Sequence, residues 1–287
     1  MTQRKLPADS KALITGLIRD GAHCVQRDIE KLLSAAKIFK EVHVLVIESD
    51  SQDQTLNRLA SLAASNAQFR YLSLGQLQDR FPSRTDRLAH CRNTYLSELR
   101  NNPLYADIDY VIVADLDGMN DLLTSESLAS CWDVTEDWCV ITANQKDSYY
   151  DIWALRHSDW CPDDCQALLA RLEPILGHET ALNLAVESRQ IRISPNRPLI
   201  QVQSAFGGLA IYTASAMQSG AYGGQDKNGN EICEHVPFHL QITGAGHTIY
   251  LNPRLINTGL NTHTRHKRTS KIIKRAIKEH IKHRREK

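Results

Sequence analysis

The stretch YVIVADLD (110–117) decides how this chain is read. Residues 110–114 run apolar without a polar break and end on two aspartates separated by one leucine. A continuous apolar run closed by polar residues is the pattern of a strand buried on both faces, as in a parallel sheet covered by helices. Alternation along such a strand predicts that Asp115 and Asp117 point to one side and Leu116 to the other. Carboxylates just past the C-terminal end of a parallel strand stand where open α/β sheets bind ligands. Together they can hold a hard divalent cation, Mn²⁺ or Mg²⁺, that also takes diphosphate oxygens. The competing role for the pair is to cap a loop at the strand end.

Working outward, apolar runs alternate with helical patterns through the first half of the chain. Strands are expected at 12–19 (ALITGLIR), 42–49 (VHVLVIES) and 69–74 (FRYLSL), and helices over 24–39, 55–65 and 85–100. This alternation predicts an α/β fold with a twisted, mostly parallel sheet and helices on both faces. Beyond residue 120 the pattern is less regular. Strands are expected at 138–144, at 151–156 (DIWALR), at 199–212 as one long strand broken by Gly207-Gly208, and at 247–252; helices are expected over 163–187 and 234–243. No internal repeat or low-complexity linker divides residues 1–264, which read as one domain.

Charge is unevenly distributed. The formal net charge is +1, but residues 265–287 carry eleven Lys/Arg against two Glu, so this segment holds +9 and residues 1–264 hold 1 − 9 = −8. Within it, Ile272, Ile273, Ala276, Ile277 and Ile281 share one helical face, which predicts a basic amphipathic helix over 269–285. Such a helix suits reversible docking on an anionic membrane surface; the alternative is that its isoleucine face packs on the acidic body. The acidic body and the absence of interleaved aromatics in the tail argue against a nucleic-acid partner. The seven cysteines are odd in number and match no zinc spacing, so reduced thiols are expected. The sequence shows no signal-peptide core and no apolar run near the roughly 20 residues that span a bilayer. The expected location is therefore cytoplasmic, peripheral at the inner face of a membrane.

Several other segments carry chemistry. In ESDSQDQT (48–55), Glu48 and Asp50 are placed to accept hydrogen bonds from a ribose or a base, while Asp53 either joins them or caps the next helix beside Thr55. Arg19, closing the first strand, is a further donor-contact candidate. RTDRLAHCRN (84–93) offers Arg87, Arg92 and Asn93; arginine recognises phosphate with two parallel hydrogen bonds, and the alternative is a solvated helix face. In SAFGG (204–208), Gly207 and Gly208 either let backbone approach a sugar or form a bulge. YYDIWALR (149–156) supplies aromatic surface and Asp151. CEHVPFH (233–239) places Glu234 and His235 at a helix start, and His263 in NTHTRH (261–266) is a rival metal or diphosphate ligand.

ESDSQDQT, DRLAHCRNTYL, VIVADLDG, YYDIWALR, SAFGGLAIY and CEHVPFHLQI stand in an order that resembles the GT-A glycosyltransferases, most nearly the fungal capsule α-1,3-mannosyltransferase family and its bacterial and viral relatives. The resemblance covers roughly residues 12–257. It implies a GT-A, Rossmann-like catalytic domain over 1–264, with a nucleotide half over about 1–120 and an acceptor half over about 121–264. It implies a metal-dependent, retaining transfer of a sugar from a nucleoside-diphosphate sugar, GDP-mannose being the candidate donor, to a glycan or lipid-linked acceptor. Asp115 and Asp117 match the metal-binding pair, with His235 and His263 as further candidate ligands. Glu48, Asp50 and Asp53 match the acidic loop on the nucleoside side, and Arg87, Arg92 and Asn93 the basic helix near the nucleotide. Glu234 is expected at the reaction centre, positioning the acceptor or stabilising positive charge on the sugar, with Asp151 as a second catalytic carboxylate. Two competing readings are a sugar nucleotidyltransferase and a nucleic-acid-binding module. The first usually has a glycine-rich phosphate loop after the first strand, where LIRDGAHCV (17–25) has only Gly21.

Overall fold

Residues 4–260 and 263–264 are described by the computed structural model of the protein, and they carry one eight-stranded sheet. In the first half, β1 (Lys11–Ile18), β2 (Glu41–Glu48), β3 (Phe69–Ser73) and β4 (Tyr110–Ala114) alternate with α1 (Val25–Ala36), α2 (Thr55–Ser65) and α3 (Arg84–Asn101). The second half adds α4 (Ser125–Ala129), β5 (Val140–Gln145), α5 (Cys165–Leu176), α6 (His178–Ala185), β6 (Ile200–Val202), β7 (Leu209–Thr213), α7 (His235–Gly244) and β8 (Ile249–Thr258). The strand order is β3-β2-β1-β4-β7-β5-β8-β6. Six strands run in one direction; β7 is antiparallel to β4 and β5, and β6 is antiparallel to β8. The fold is thus α/β with a mostly parallel sheet.

Alternation along the strands sends side chains to two cores. Leu13, Leu45, Ile47, Val111 and Val113 pack with Ala89, Tyr95, Leu96 and Leu99 of α3, and with Phe238 and Ile242 of α7. Their neighbours Ala12, Ile14, Val44, Val46 and Ile112 pack on the opposite face with Val25, Ile29, Leu32 and Ala35 of α1, Leu59 of α2 and Leu128 of α4. Both faces are therefore covered, which is why these strands read as near-continuous apolar runs. The order β3-β2-β1-β4 reverses direction between β1 and β4, because α3 returns the chain across the sheet. A crevice opens at such a reversal, beyond the carboxyl ends of the two strands.

Three expected elements differ. Residues 151–156 are not a strand: the Ile152 amide donates to Tyr150 O (2.9 Å) and the Leu155 amide to Ile152 O (3.2 Å), so the backbone closes on itself. Arg156 keeps only an isolated bridge to Ser204. The single strand expected over 199–212 is two strands, β6 and β7, separated in the sheet by β5 and β8. The helix expected over 163–187 is interrupted at Gly177 (φ 74°), giving the α5–α6 hairpin. The helix expected over 269–285 lies outside the described residues. None of the seven cysteines is disulfide-bonded, and no helix among the described residues is long and apolar enough to cross a membrane.

Candidate active site

The strand β4 ends at Ala114, so Asp115 and Asp117 stand in the loop beyond it and strand alternation does not set their direction. Other contacts fix this loop. The Asp115 amide donates to Gly208 O (3.0 Å), Asn120 Nδ2 donates to Asp115 O (2.9 Å), and the Gly118 amide donates to Oδ2 of Asp28 in α1 (2.7 Å). The two carboxylates still act on each other. Asp115 has its carboxyl pushed up to about 7, first because surrounding protein excludes water and next because of the Asp117 charge. Asp117 keeps an exposed edge, yet the surrounding protein still restricts its hydration and raises its carboxyl, with the Met119 amide and His263 opposing and the Asp28 charge adding to the rise.

Arg92 links Asp115 to Glu234. It is buried in α3 and donates from Nε to Glu234 Oε1 at 2.8 Å, and its Nη2 lies 3.8 Å from Asp115 Oδ1. Its guanidinium carbon lies 5.3 Å from the Phe206 ring centre, and Nη1 finds no hydrogen-bond partner among the described residues. Asp151 and Glu234 both add to the negative potential at Asp115. Asp151 is itself raised by burial, against the pull of hydrogen bonds from the Gly207 amide to Oδ2 (2.9 Å) and the Ala154 amide to Oδ1 (3.3 Å). Asp115, Asp117, Asp151, Glu234 and Arg92 therefore share one electrostatic neighbourhood, although the chain separates Asp115 from Glu234 by more than a hundred residues.

His235 is buried beside Glu234, with Nε2 3.8 Å from Glu234 Oε1, and its ring stacks on Phe206 at 3.9 Å. Burial and the Arg92 charge hold its pKa well below the ordinary value, so it is a neutral imidazole, and neither nitrogen has a hydrogen-bond partner among the described residues. His263 stacks on Tyr150 at 5.1 Å. The four candidate ligands Asp115, Asp117, His235 and His263 do not form a closed metal cage: among the described residues no group of three or more His, Cys, Asp or Glu is arranged to hold a metal ion.

The acidic loop after β2 serves the neighbouring turn. Ser51 Oγ, Thr55 Oγ1 and Asp53 Oδ2 accept from the successive amides of Asp20 (3.0 Å), Gly21 (2.8 Å) and Ala22 (3.1 Å). Asp53 Oδ1 also accepts from the Thr55 amide (2.9 Å), but the cap position of α2 is Gln54, one residue on, so Asp53 is not the helix cap that was the alternative for it. Glu48 is buried and accepts from the Ser51 amide (3.0 Å) and Ser73 Oγ. Asp50 Oδ1 accepts from the Leu77 and Gln78 amides at 2.8 and 3.0 Å. Asp20 (φ 51°) and Asp50 (φ 59°) are the non-glycine residues with positive φ among those described, and they stand in the turns that follow β1 and β2. Arg19 is exposed and, among the described residues, reaches only Asp20 (3.4 Å). Arg87 donates to Phe81 O and Pro82 O, and Asn93 exchanges two hydrogen bonds, both 2.9 Å, with the Tyr222 backbone. These residues brace the crevice with their own chain, whereas Arg92 alone of the basic-helix candidates reaches the carboxylates.

The Gly207-Gly208 pair lies just before β7 and is filled on both sides. A Cβ on Gly208 (φ 82°) would meet Tyr150 Oη at 2.8 Å and Asn257 Nδ2 at 3.3 Å. Gly207 O accepts from Gln145 Nε2 (3.0 Å) and Asn257 Nδ2 (2.8 Å), and Asn257 also donates to Asn120 Oδ1 (3.1 Å). This buried amide network, together with Asp28, was missed from the sequence. Gln145 had a signal, being a long polar residue at the end of an apolar strand. Asn257 had none, because the last strand was expected to stop at residue 252. Gly208→Ala should cost about 1–3 kcal/mol, since a side chain there is strained in backbone and crowded by Tyr150. A thermal melt checks this, and an unchanged melting temperature would refute the strained-turn account.

Asp115 also makes stability depend on pH. The unfolded carboxyl titrates near 3.8 and the folded one near 7, so the folded state holds the proton more tightly. The contribution is fully present below the unfolded value and is lost as pH rises through the folded one. Wild type should therefore lose stability relative to Asp115→Asn between about pH 4 and 7. Parallel melting curves for the two proteins across that range would remove Asp115 as the cause.

No protein-family model and no curated protein matches this chain. Among solved structures it is similar to the mannosyltransferase PcManGT from Pyrobaculum calidifontis in complex with GDP-Man and Mn²⁺, at 14% identity over 87% of this chain and 56% of that one, with a TM-score of 0.46. It is similar to TarS of S. aureus at 12% identity over 84% of this chain and 57% of that one, TM-score 0.44. It is similar to glucosyl-3-phosphoglycerate synthase from Mycobacterium tuberculosis, in complex with UDP, at 13% identity over 88% of this chain and 72% of that one, TM-score 0.44. The chain spans little more than half the length of the first two.

Proposed function

We propose that this chain is a metal-dependent glycosyltransferase that takes a nucleoside-diphosphate sugar and passes the sugar to a glycan or lipid-linked acceptor. The observation that carries the reading is that buried Arg92 joins Glu234 (2.8 Å) to Asp115 (3.8 Å) just beyond the carboxyl end of β4, while the charges of Asp117, Asp151 and Glu234 all act on Asp115. The donor set fits a hard cation of the Mn²⁺ or Mg²⁺ class. Asp115 and Asp117 repel each other, and a dication would relieve that; two carboxylates plus substrate phosphate oxygens are an ordinary ligand set for such an ion. When bound, the ion would supply charge compensation for the leaving diphosphate.

The remaining work falls to this chain's own groups. Buried polar atoms normally find partners, so Arg92 Nη1 and the two His235 nitrogens mark where a polar ligand is received. Arg92 fixes Glu234 Oε1, which leaves that carboxylate oriented to position an acceptor hydroxyl or to face positive charge on the sugar. Asp151, raised by burial, is suited to hold a proton near the reacting centre. Mannose as the sugar and retention at the anomeric carbon are the finer reading, supported by the order of the six motifs.

The sugar nucleotidyltransferase reading loses its phosphate loop. The amides of Asp20, Gly21 and Ala22, which a phosphate would need after the first strand, are taken by Ser51, Thr55 and Asp53. A panel of nucleotide-sugars with and without Mn²⁺ tests the proposal. The preferred donor should release its diphosphate only with metal, and at a hundred times its dissociation constant it should stabilise the fold by about 2.7 kcal/mol. No stabilisation and no release with any donor would overturn it.

A further inference from the structure

We propose that residues 265–287 dock through their isoleucine face on the α5–α6 hairpin of the same chain. The hairpin carries an uncovered apolar surface. Ile175 is 75% exposed, Leu176 42% and Leu184 46%, and Ile191, just past α6, is 43% exposed. Of the twelve residues of α5 only Cys165 is buried. Such a concentration of large exposed apolar side chains marks an interaction surface.

Three observations select the occupant. The first is charge: residues 163–189 hold five carboxylates (Asp163, Asp164, Glu173, Glu179, Glu187) against Arg171 and Arg189, a net of −3, while residues 265–287 hold +9. The second is chain path. His263 stacks on Tyr150, Tyr150 O accepts from Gln190 Nε2 (3.2 Å), and the Tyr149 amide donates to Ile191 O (2.9 Å). The chain therefore leaves the body beside the point where the hairpin rejoins it. The third is reach. Residues 265–271 span up to roughly 23 Å when extended, and eight-residue α6 is only about 12 Å long, so Ile272 and Ile273 can reach the whole hairpin. A short tether also keeps the segment at a high local concentration. The rival occupants fare worse on charge. A second copy seated symmetrically would set one acidic hairpin against another, and an anionic bilayer would meet the same net negative surface.

Hydrogen exchange read by mass spectrometry tests this on the full chain, on a variant lacking residues 265–287, and on Ile272→Ser/Ile277→Ser, which leaves the body untouched. Amides of residues 165–191 should exchange about tenfold more slowly in the full chain than in either variant, with the difference shrinking at high salt. Ile175→Lys/Leu184→Lys should raise the exchange of residues 269–285. Equal exchange over 165–191 in all forms would overturn the proposal. So would protection that grows with protein concentration, which indicates a second copy, or protection that appears only with phosphatidylglycerol vesicles, which indicates a membrane. The readout is independent of catalysis, so it stands or fails separately from the glycosyltransferase reading.

Discussion

Asp117→Ala should abolish release of nucleoside diphosphate from the donor while leaving the fold in place. Asp117 is exposed at the crevice, and its hydrogen bonds hold only its own loop. Its removal therefore opens no cavity, and its stability cost should stay within about 0.5 kcal/mol. Stability near neutral pH should even rise slightly. Asp117 is the second cause of the high Asp115 pKa, so without it Asp115 ionises more readily in the folded state. Activity behaves oppositely. If the pair holds the ion that offsets charge on the leaving diphosphate, several kcal/mol of transition-state stabilisation are lost, which is about a thousandfold or more in rate. Thermal stabilisation by Mn²⁺ should vanish in the same variant. Full activity in Asp117→Ala, or wild-type activity undiminished by excess chelator, would end the metal hypothesis.

The half of the fold before residue 115 was legible because its physics is local and repetitive. In β1, β2 and β4 the apolar residues face one or other of two cores, so each strand writes a dense apolar run, and α1 writes its buried stripe at Val25, Ile29 and Leu32. Beyond that point tertiary contacts override pattern. DIWALR alternates like a strand, yet Asp151 satisfies the Gly207 and Ala154 amides and bends the segment into turns. The last strand runs to Thr258, past Pro253, because Asn144 Nδ2 donates to Pro253 O (2.9 Å) where β5 and β8 slip register. A proline inside a strand is tolerated at such a bulge, and the bulge was invisible without the partner strand. In the site, the residue types were legible and their partners were not. Asp50, Asp53 and Asn93 have the chemistry of ligand contacts, but each is engaged by backbone amides from segments distant in sequence, and Glu48 is taken by the nearby Ser51 amide and the Ser73 hydroxyl. The Asp pair and Glu234 were legible as candidate site residues; that Arg92 would bridge Asp115 and Glu234 depended on α3 crossing back over the sheet.

Arg92→Ala should destabilise the protein by about 3–5 kcal/mol, the range for removing one partner of a buried ion pair. The cost comes from what remains: Glu234, only 6% exposed in its side chain, keeps a buried carboxylate whose 2.8 Å donor is gone. Arg92→Lys should recover little, because an ammonium cannot serve Glu234 and Asp115 from one planar fork. Arg92→Met/Glu234→Gln should be markedly more stable than Arg92→Ala, since it removes both charges and keeps volume. Urea midpoints at constant slope measure all three, and a loss below about 1 kcal/mol in Arg92→Ala would show that this pair does not organise the site. The double variant also separates structure from chemistry. The Arg92 charge lowers the Asp115 carboxyl more than the Glu234 charge raises it, so losing both pushes that carboxyl further up. A metal must displace the proton to bind there. Stabilisation by Mn²⁺ should therefore appear at higher pH in the folded double variant than in wild type. An unshifted pH dependence would confine Arg92 to bracing Glu234.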